Sequence, residues 1–428
     1  MKRKIKALFV ASEMASLAKV GGLGDVMGSL PKALKKNGVD AEVVIPRYEH
    51  ISKKNFKLVC RLGRKTVVYA ARKKGVKVFL IDNKKYLSRG PVYFERTAFA
   101  GGKKEIDRFL FFSKAVFELI RCSFFKPDIV HANDWHTGFL VKLLKSSPKV
   151  VFTIHNLANQ GAWRGKNWMA EGIKSADFVT TVSPTYAKEI LTKEYGEGLE
   201  RFLKKRAGEK KLKGILNGID YSFWPSKKRD KIKFQEKLGL FKNKNAPIFG
   251  LVARLTSQKG INLIVPLVRK LIKKYGAEFV FLGQGEEENE KTLLKLAEAY
   301  PKNVFTKIGF DEKLAREIYA NCDFFLMPSL FEPSGLGQMI SMRYGTIPVA
   351  RATGGLKDSI TDGKTGFLFK EKSPQALLGA MKRALGVFYQ KRKLESMRQN
   401  CKKQDFGWNI SAKAYKKIYQ KLLGRLRL

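Results

Sequence analysis

Acidic residues are scarce in this chain. Asp and Glu together number 38 against 84 Lys and Arg, a formal charge of +46 over 428 residues. A chain so basic attracts polyanions of any kind, nucleic acid included. Yet its cations run from Lys2 to Arg427, clustered only locally at residues 204–206, 227–233 and 391–393, and no zinc finger, basic zipper or aromatic-interleaved RNA motif accompanies them. Lysine spread over solvated faces is the first reading, and non-specific polyanion binding is the second. Cysteine is also rare. Cys60, Cys122, Cys322 and Cys401 have no paired spacing of the kind a zinc site needs, and they fit reduced thiols in a cytosolic protein. Long apolar runs are missing too: residues 7–11 follow Lys2-Arg3-Lys4 but stop at Ser12 and Glu13. That is too short for a signal peptide or a membrane span, so a first β-strand and a cytoplasmic location are expected, with no membrane partner.

What is present is an alternation of short apolar runs with amphipathic stretches, the pattern of parallel α/β architecture. Strand-like runs fall at residues 7–11, 41–45, 76–81, 129–131, 150–154 and 178–182. A fresh series follows at 248–252, 278–282, 324–327 and 346–350. Between them, Leu263, Ile264, Leu267, Val268, Leu271 and Ile272 recur at helical spacing. Two series predict two Rossmann-like domains, with a boundary near residues 212–224. There a charged stretch, 204–213, gives way to residues 214–220, which read as a strand running into a turn. Residues 408–427 predict an amphipathic helix with Trp408, Tyr415, Tyr419, Leu422 and Leu426 near one face. No solenoid repeat or low-complexity tract is present.

Ligands of open α/β sheets bind beyond the carboxyl ends of the strands, so the chemistry is sought in the loops that follow them. The first strand leads into Lys19-Val-Gly21-Gly22-Leu-Gly24-Asp25. Glycines let a ligand approach the backbone, and the next helix can receive a phosphate on its N–H groups. The loop is neither the dinucleotide fingerprint, since the third glycine, Gly28, comes one residue late, nor a Walker loop. On its own it is equally a plain strand-to-helix turn. In the second series Arg254 and Lys259 follow one strand, Glu332-Pro-Ser334-Gly335-Leu336 another, and Thr353-Gly354-Gly355 a third. Two cations with free backbone donors suit a diphosphate leaving group without a metal, although two solvated cations in a lysine-rich chain are as good an account. Asp134 and His155 also stand at strand ends. Two of the four histidines, His131 and His136, flank Asp134 without the spacing of a metal site, and His131 reads equally as a hydrogen-bonded core histidine. No cofactor is implied.

Taken together, these segments resemble the bacterial glycogen synthase and plant starch synthase family. The likeness covers residues 19–25, 133–136, 155–157, 181–186, 214–220, 254–260, 332–338, 344–349 and 353–358, in family order over nearly the whole chain. The resemblance implies a GT-B fold, two Rossmann-like domains facing across a cleft with a C-terminal helix crossing back to the first. Residues 1–211 would form the acceptor-side domain, 212–224 the hinge, 225–405 the donor-side domain and 406–428 the returning helix. It implies transfer of glucose from ADP-glucose to the non-reducing 4-hydroxyl of an α-1,4-glucan with retention, while the sequence leaves ADP-glucose against UDP-glucose open, and oligomeric state with it.

Carried onto these positions, the resemblance gives Arg254 and Lys259 the leaving diphosphate, with backbone donors from Thr353, Gly354 and Gly355. Glu332 and the N–H groups of Ser334, Gly335 and Leu336 would hold hydroxyls of the transferred glucose. Asp134 and His155 would line the sugar pocket, Asn217 would lie near the donor, and Lys19, Gly21, Gly22 and Asp25 would meet the diphosphate or the acceptor. The chain departs from the family at Leu330, usually arginine, at Gly337, usually threonine, at Ser334, commonly cysteine, and in a shorter stretch at 162–172. Ile340 stands eight positions after Glu332, where sucrose-synthase-like and mannosyl-transferring relatives carry a second glutamate. That favours the synthase type. A fold that has lost catalysis and kept only polyanion binding is the rival from another class, and Lys19, Arg254, Lys259 and Glu332 all argue against it.

Overall fold

The computed structural model describes residues 3–94, 102–122, 126–144 and 147–425. The chain divides into two compact units, one of residues 1–218 with 407–428 and one of residues 219–406.

The first unit is built on strands β1 (Ile5–Val10), β2 (Val39–Pro46), β3 (Lys57–Arg61), β4 (Val67–Lys73), β5 (Val76–Asp82), β6 (Ile129–Asn133) and β7 (Lys149–Ile154). A two-stranded hairpin of β8 (Ala162–Trp163) and β9 (Lys166–Asn167) stands apart, and β10 (Phe178–Thr181) and β11 (Leu212–Gly214) complete the main sheet. Its order is β11-β10-β7-β6-β1-β2-β5-β4-β3, parallel from β11 to β5. Both faces of the parallel part are covered. Leu8 and Val10 belong to one apolar cluster while Ala7 and Phe9 belong to the other, which is why these strands read as continuous apolar runs.

β3 and β4 extend the sheet antiparallel, and Lys74 and Gly75, both at positive φ (48° and 82°), turn the chain from β4 to β5. The sequence pattern gave no strand here. β3 is an edge strand with Lys57, Leu58 and Arg61 exposed, so neither alternation nor a buried run marks it, and its lysine and arginine discourage pairing with another chain.

The helix Trp408–Leu422 packs its buried Trp408, Tyr415 and Tyr419 on the first unit's core; Leu426 lies outside the described residues. His131 clasps this helix from β6. Tyr419 Oη lies 2.6 Å from His131 Nδ1 and Thr153 Oγ1 2.5 Å from its Nε2, so both ring nitrogens are engaged in the core. Desolvation lowers its pKa well below the ordinary histidine value, keeping the ring neutral.

The second unit has six parallel strands: β12 (Ile248–Val252), β13 (Glu278–Gly283), β14 (Val304–Ile308), β15 (Phe324–Met327), β16 (Ile347–Arg351) and β17 (Phe367–Phe369). Their order is β14-β13-β12-β15-β16-β17, the doubly wound arrangement in which the direction of winding reverses between the first and fourth strands. Buried Asp323, just before β15, accepts from Arg229 (2.5 Å), Lys231 (2.7 Å), Arg398 (2.6 Å) and Ile248 N–H (3.0 Å). Burial alone would raise this carboxyl; the three cations outweigh it and hold it below the usual value. Near the end of the first unit, the expected strand at 214–220 ends at Gly214, and the charged stretch before it contributes the helix Glu200–Gly208.

Candidate active site

The switch point of the second sheet lies between β12 and β15, and the loops after these strands are fastened together there. Leu330 N–H donates to Gln258 O (2.8 Å), and Gln258 Nε2 donates to Phe331 O (3.0 Å). Gly260 (φ 68°) allows this, because a Cβ on it would stand 2.2 Å from Pro328 O. The result is an ion pair: Lys259 Nζ lies 2.5 Å from Glu332 Oε2, both groups largely buried, with Ser329 Oγ donating to the same oxygen at 2.9 Å. The loop after β16 presses on the same segment. A Cβ on Gly354 would meet Glu332 O, and one on Gly355 would meet Ser334 O, each at 2.0 Å.

Beside this ion pair, the backbone N–H groups of Ser334, Gly335 and Leu336 have no hydrogen-bond partner among the described residues, and neither has the buried Ser334 Oγ. Gly335 is left-handed at φ 67°. Arg254 is exposed and, among the described residues, carries no ion pair. The expected phosphate donor Gly355 is otherwise engaged: its N–H goes to Glu332 O (3.1 Å), because the close approach that requires glycine also brings that carbonyl within reach. Gly337 follows from packing as well, since a Cβ there would stand 2.9 Å from the Phe325 ring.

The first unit shows the same logic between β1 and β6, where its own winding reverses. Beyond β6, Asp134 adopts φ 55° and ψ 178°, a strained pair for a residue with a side chain. Its Oδ1 accepts the N–H of His155 (2.7 Å) and of Asn156 (3.4 Å), binding the ends of β6 and β7. Desolvation raises Asp134 to about 7. His155, lowered to about 3 by desolvation, is neutral. Asn133 spends its Nδ2 on Val10 O and His131 O, so its Oδ1 accepts from His155 Nε2–H at 2.9 Å and leaves Nδ1 of His155 as the ring's acceptor.

Beyond β1, Lys19 pairs with Asp25 at 2.7 Å, burial raising the Asp25 carboxyl against the pull of that lysine. Gly21 caps the helix Gly22–Lys36, and its own N–H is taken by Glu13. Gly22 is exposed, with no atom within 4 Å of where its Cβ would stand. Asn217 is buried, its N–H on Val182 O at 3.3 Å. Thus Asp134 and His155 are joined in one unit, and Lys259, Glu332, Ser334 and Gly355 in the other. Sequence reading gave no role to Glu13, Asn133 or Ser329. The only available signal was their position just after or at the end of an apolar strand. Among the described residues no group of three or more His, Cys, Asp or Glu is placed to hold a metal ion, and no helix is long and apolar enough to cross a membrane.

Comparison with known proteins accounts for both units. Residues 6–205 match the starch synthase catalytic domain family and residues 230–404 the glycosyl transferases group 1 family. The chain is 36% identical to a glycogen synthase of Alkaliphilus metalliredigens, with 98% of this chain and 100% of that protein covered. It is 38% identical to a glycogen synthase of Geotalea daltonii, with 98% and 99% covered. Among solved structures, the catalytic domain of starch synthase IV from Arabidopsis thaliana, bound to ADP and acarbose, superposes with a TM-score of 0.88 at 29% identity, covering 99% of this chain and all of that one. Likeness at this level over the whole length is more than a shared fold: the chain belongs to the glycogen and starch synthase family of glycosyltransferases and has their GT-B architecture of two Rossmann-like units.

Proposed function

We propose that this protein transfers glucose from ADP-glucose to the non-reducing 4-hydroxyl of an α-1,4-glucan, with retention at the anomeric carbon, in the cytoplasm. The observation that carries the reading is the Lys259–Glu332 pair beside three uncommitted N–H groups at Ser334, Gly335 and Leu336. An ammonium has three donors, so Lys259 is able to keep Glu332 and still meet a phosphate oxygen, with Arg254 adding a second positive charge. The N–H groups suit sugar hydroxyls, and Glu332 accepts from them.

The step needs no covalent nucleophile. The bond from C1 to the phosphate oxygen breaks, C1 bonds to the incoming O4 on the same face, and the O4 proton passes to the departing phosphate. Lys259 and Arg254 stabilise charge that develops only as that bond breaks, so their effect falls on turnover. Asp134 and His155 serve the transferred sugar, Asn217 serves the donor, the segment from Lys19 to Asp25 serves the diphosphate or the acceptor, and the second unit carries most of the donor contacts. ADP rather than UDP rests on the family and on the ADP bound to the Arabidopsis relative.

The test is to incubate the protein with glycogen and either ADP-[14C]glucose or UDP-[14C]glucose and to count label in precipitated polymer. ADP-glucose is expected to label it more strongly, in linkages that β-amylase releases. Equal or greater labelling from UDP-glucose overturns the donor assignment, and no labelling from either overturns the activity.

A further inference from the structure

Glu13 is a buried carboxylate that the proposed transfer does not use. It stands three residues beyond β1, 3% exposed, and among the described residues no cation pairs with it. The nearest mobile cation in sequence, Lys19, is spent on Asp25. Its charge is met by three donors instead. Oε2 accepts the N–H of Val20 at 2.7 Å and of Gly21 at 2.8 Å, and Oε1 accepts the Tyr93 hydroxyl at 2.7 Å. Tyr93 Oη is itself 2.7 Å from Ser12 Oγ. A Cβ on Gly24 would stand 3.1 Å from Oε2, so the loop wraps the carboxylate with little slack. Burying an ionised carboxylate is costly unless donors surround it, and here two of them belong to the backbone of the very loop expected to meet substrate.

We infer that Glu13 is a positioning residue: a buried clamp that holds the Lys19–Gly24 loop in its working shape through the N–H groups of Val20 and Gly21. One consequence is that the Gly21 N–H is not a substrate donor. The open donors begin one residue later, at Gly22 and Leu23, the first turn of the helix, whose N–H groups have no partner among the described residues. Another is that Lys19 owes its placement beside the helix start to a carboxylate it never touches.

The activity part of this inference rests on the glucosyltransferase reading; the clamp itself does not. Amide hydrogen exchange at Val20 and Gly21 is measured together with kcat and KM in Glu13→Ala, Glu13→Gln and Tyr93→Phe. Glu13→Ala is expected to lose protection at both amides and about 100-fold in kcat/KM, the scale of a misplaced catalytic loop. In Glu13→Gln the amide oxygen accepts the same two N–H groups, so protection is retained and activity stays within about fivefold. Tyr93→Phe keeps both N–H bonds and falls between. Should Glu13→Ala fail to fold, Glu13→Asp, one methylene short of the amides, carries the same expectation. Protected amides in Glu13→Ala overturn the clamp. So does a Glu13→Gln variant as inactive as Glu13→Ala with its amides still protected, which would give Glu13 a role through its charge. Absence of activity in the wild type strikes the glucosyltransferase reading alone, and the exchange data still decide the clamp.

Discussion

Lys259 and Glu332 neutralise each other in a largely buried setting, and that shapes what a substitution there reports. Removing either leaves the other as an uncompensated charge, so loss of stability accompanies loss of function unless the remaining group reaches solvent. When Lys259 is removed, Glu332 keeps the Ser329 hydroxyl as a donor, and the carboxylate expected to hold the sugar stays in place, which makes Lys259→Ala the cleaner probe of catalysis. Asp134 is the other residue whose chemistry is set by burial. Desolvation lifts its pKa from 3.8 to about 7, so the folded chain holds this proton where the unfolded chain has released it. Its contribution to stability therefore falls as pH rises from about 4 to 7, and above 7 the buried carboxylate exacts its full cost. Asp134→Asn removes that dependence. The stability of the variant minus that of the wild type should climb between pH 4 and 7 with a slope of up to about 1.4 kcal/mol per unit, then level off. Urea denaturation across that range checks it; a difference that does not change with pH contradicts it.

At the scale of elements, the helix Trp408–Leu422 depends on a polar contact in an apolar setting. Tyr419→Phe leaves His131 Nδ1 buried without its partner and should cost about 1–3 kcal/mol. An unchanged denaturation midpoint would show the hydroxyl to be dispensable. This helix was legible in the sequence because its large apolar residues fall on one face; the histidine that receives it was not, since His131 alone reads equally as core or as site. The parallel strands were legible for a physical reason: covered on both faces, they are apolar throughout. β3 and β4 were not, because this hairpin lies at the sheet edge and mixes charged and exposed residues with apolar ones, so no buried run marks it. The site divided in the same way. Gly260, Gly354 and Gly355 marked loops packed so closely on other backbone that an added Cβ would stand within 2.2 Å of a carbonyl oxygen, and glycine announces itself. Glu13 gave no such sign, since what makes it matter is the fold of the residues that donate to it.

For the molecule as a whole, charge and family point to separate properties. Asp82 is the only acidic residue between Ile51 and Phe94 and is buried, while Lys54, Lys57, Arg61 and Arg64 are exposed along the β3 edge. A single-stranded oligonucleotide should therefore bind with an affinity that falls steeply with salt, and reversing those four charges should flatten the slope while leaving transferase activity intact. Salt-independent binding, or a slope unmoved by the reversal, would return the charge to solvated surface. On the proposed reading catalysis depends instead on Lys259 and its neighbours, and one comparison addresses that most directly: transfer of label from ADP-[14C]glucose to glycogen by the wild type and by Lys259→Ala, with the thermal midpoint of each recorded. The wild type should label the polymer, and the variant should fall at least about 100-fold in kcat while its midpoint moves little. A Lys259→Ala protein as active as the wild type would contradict the account.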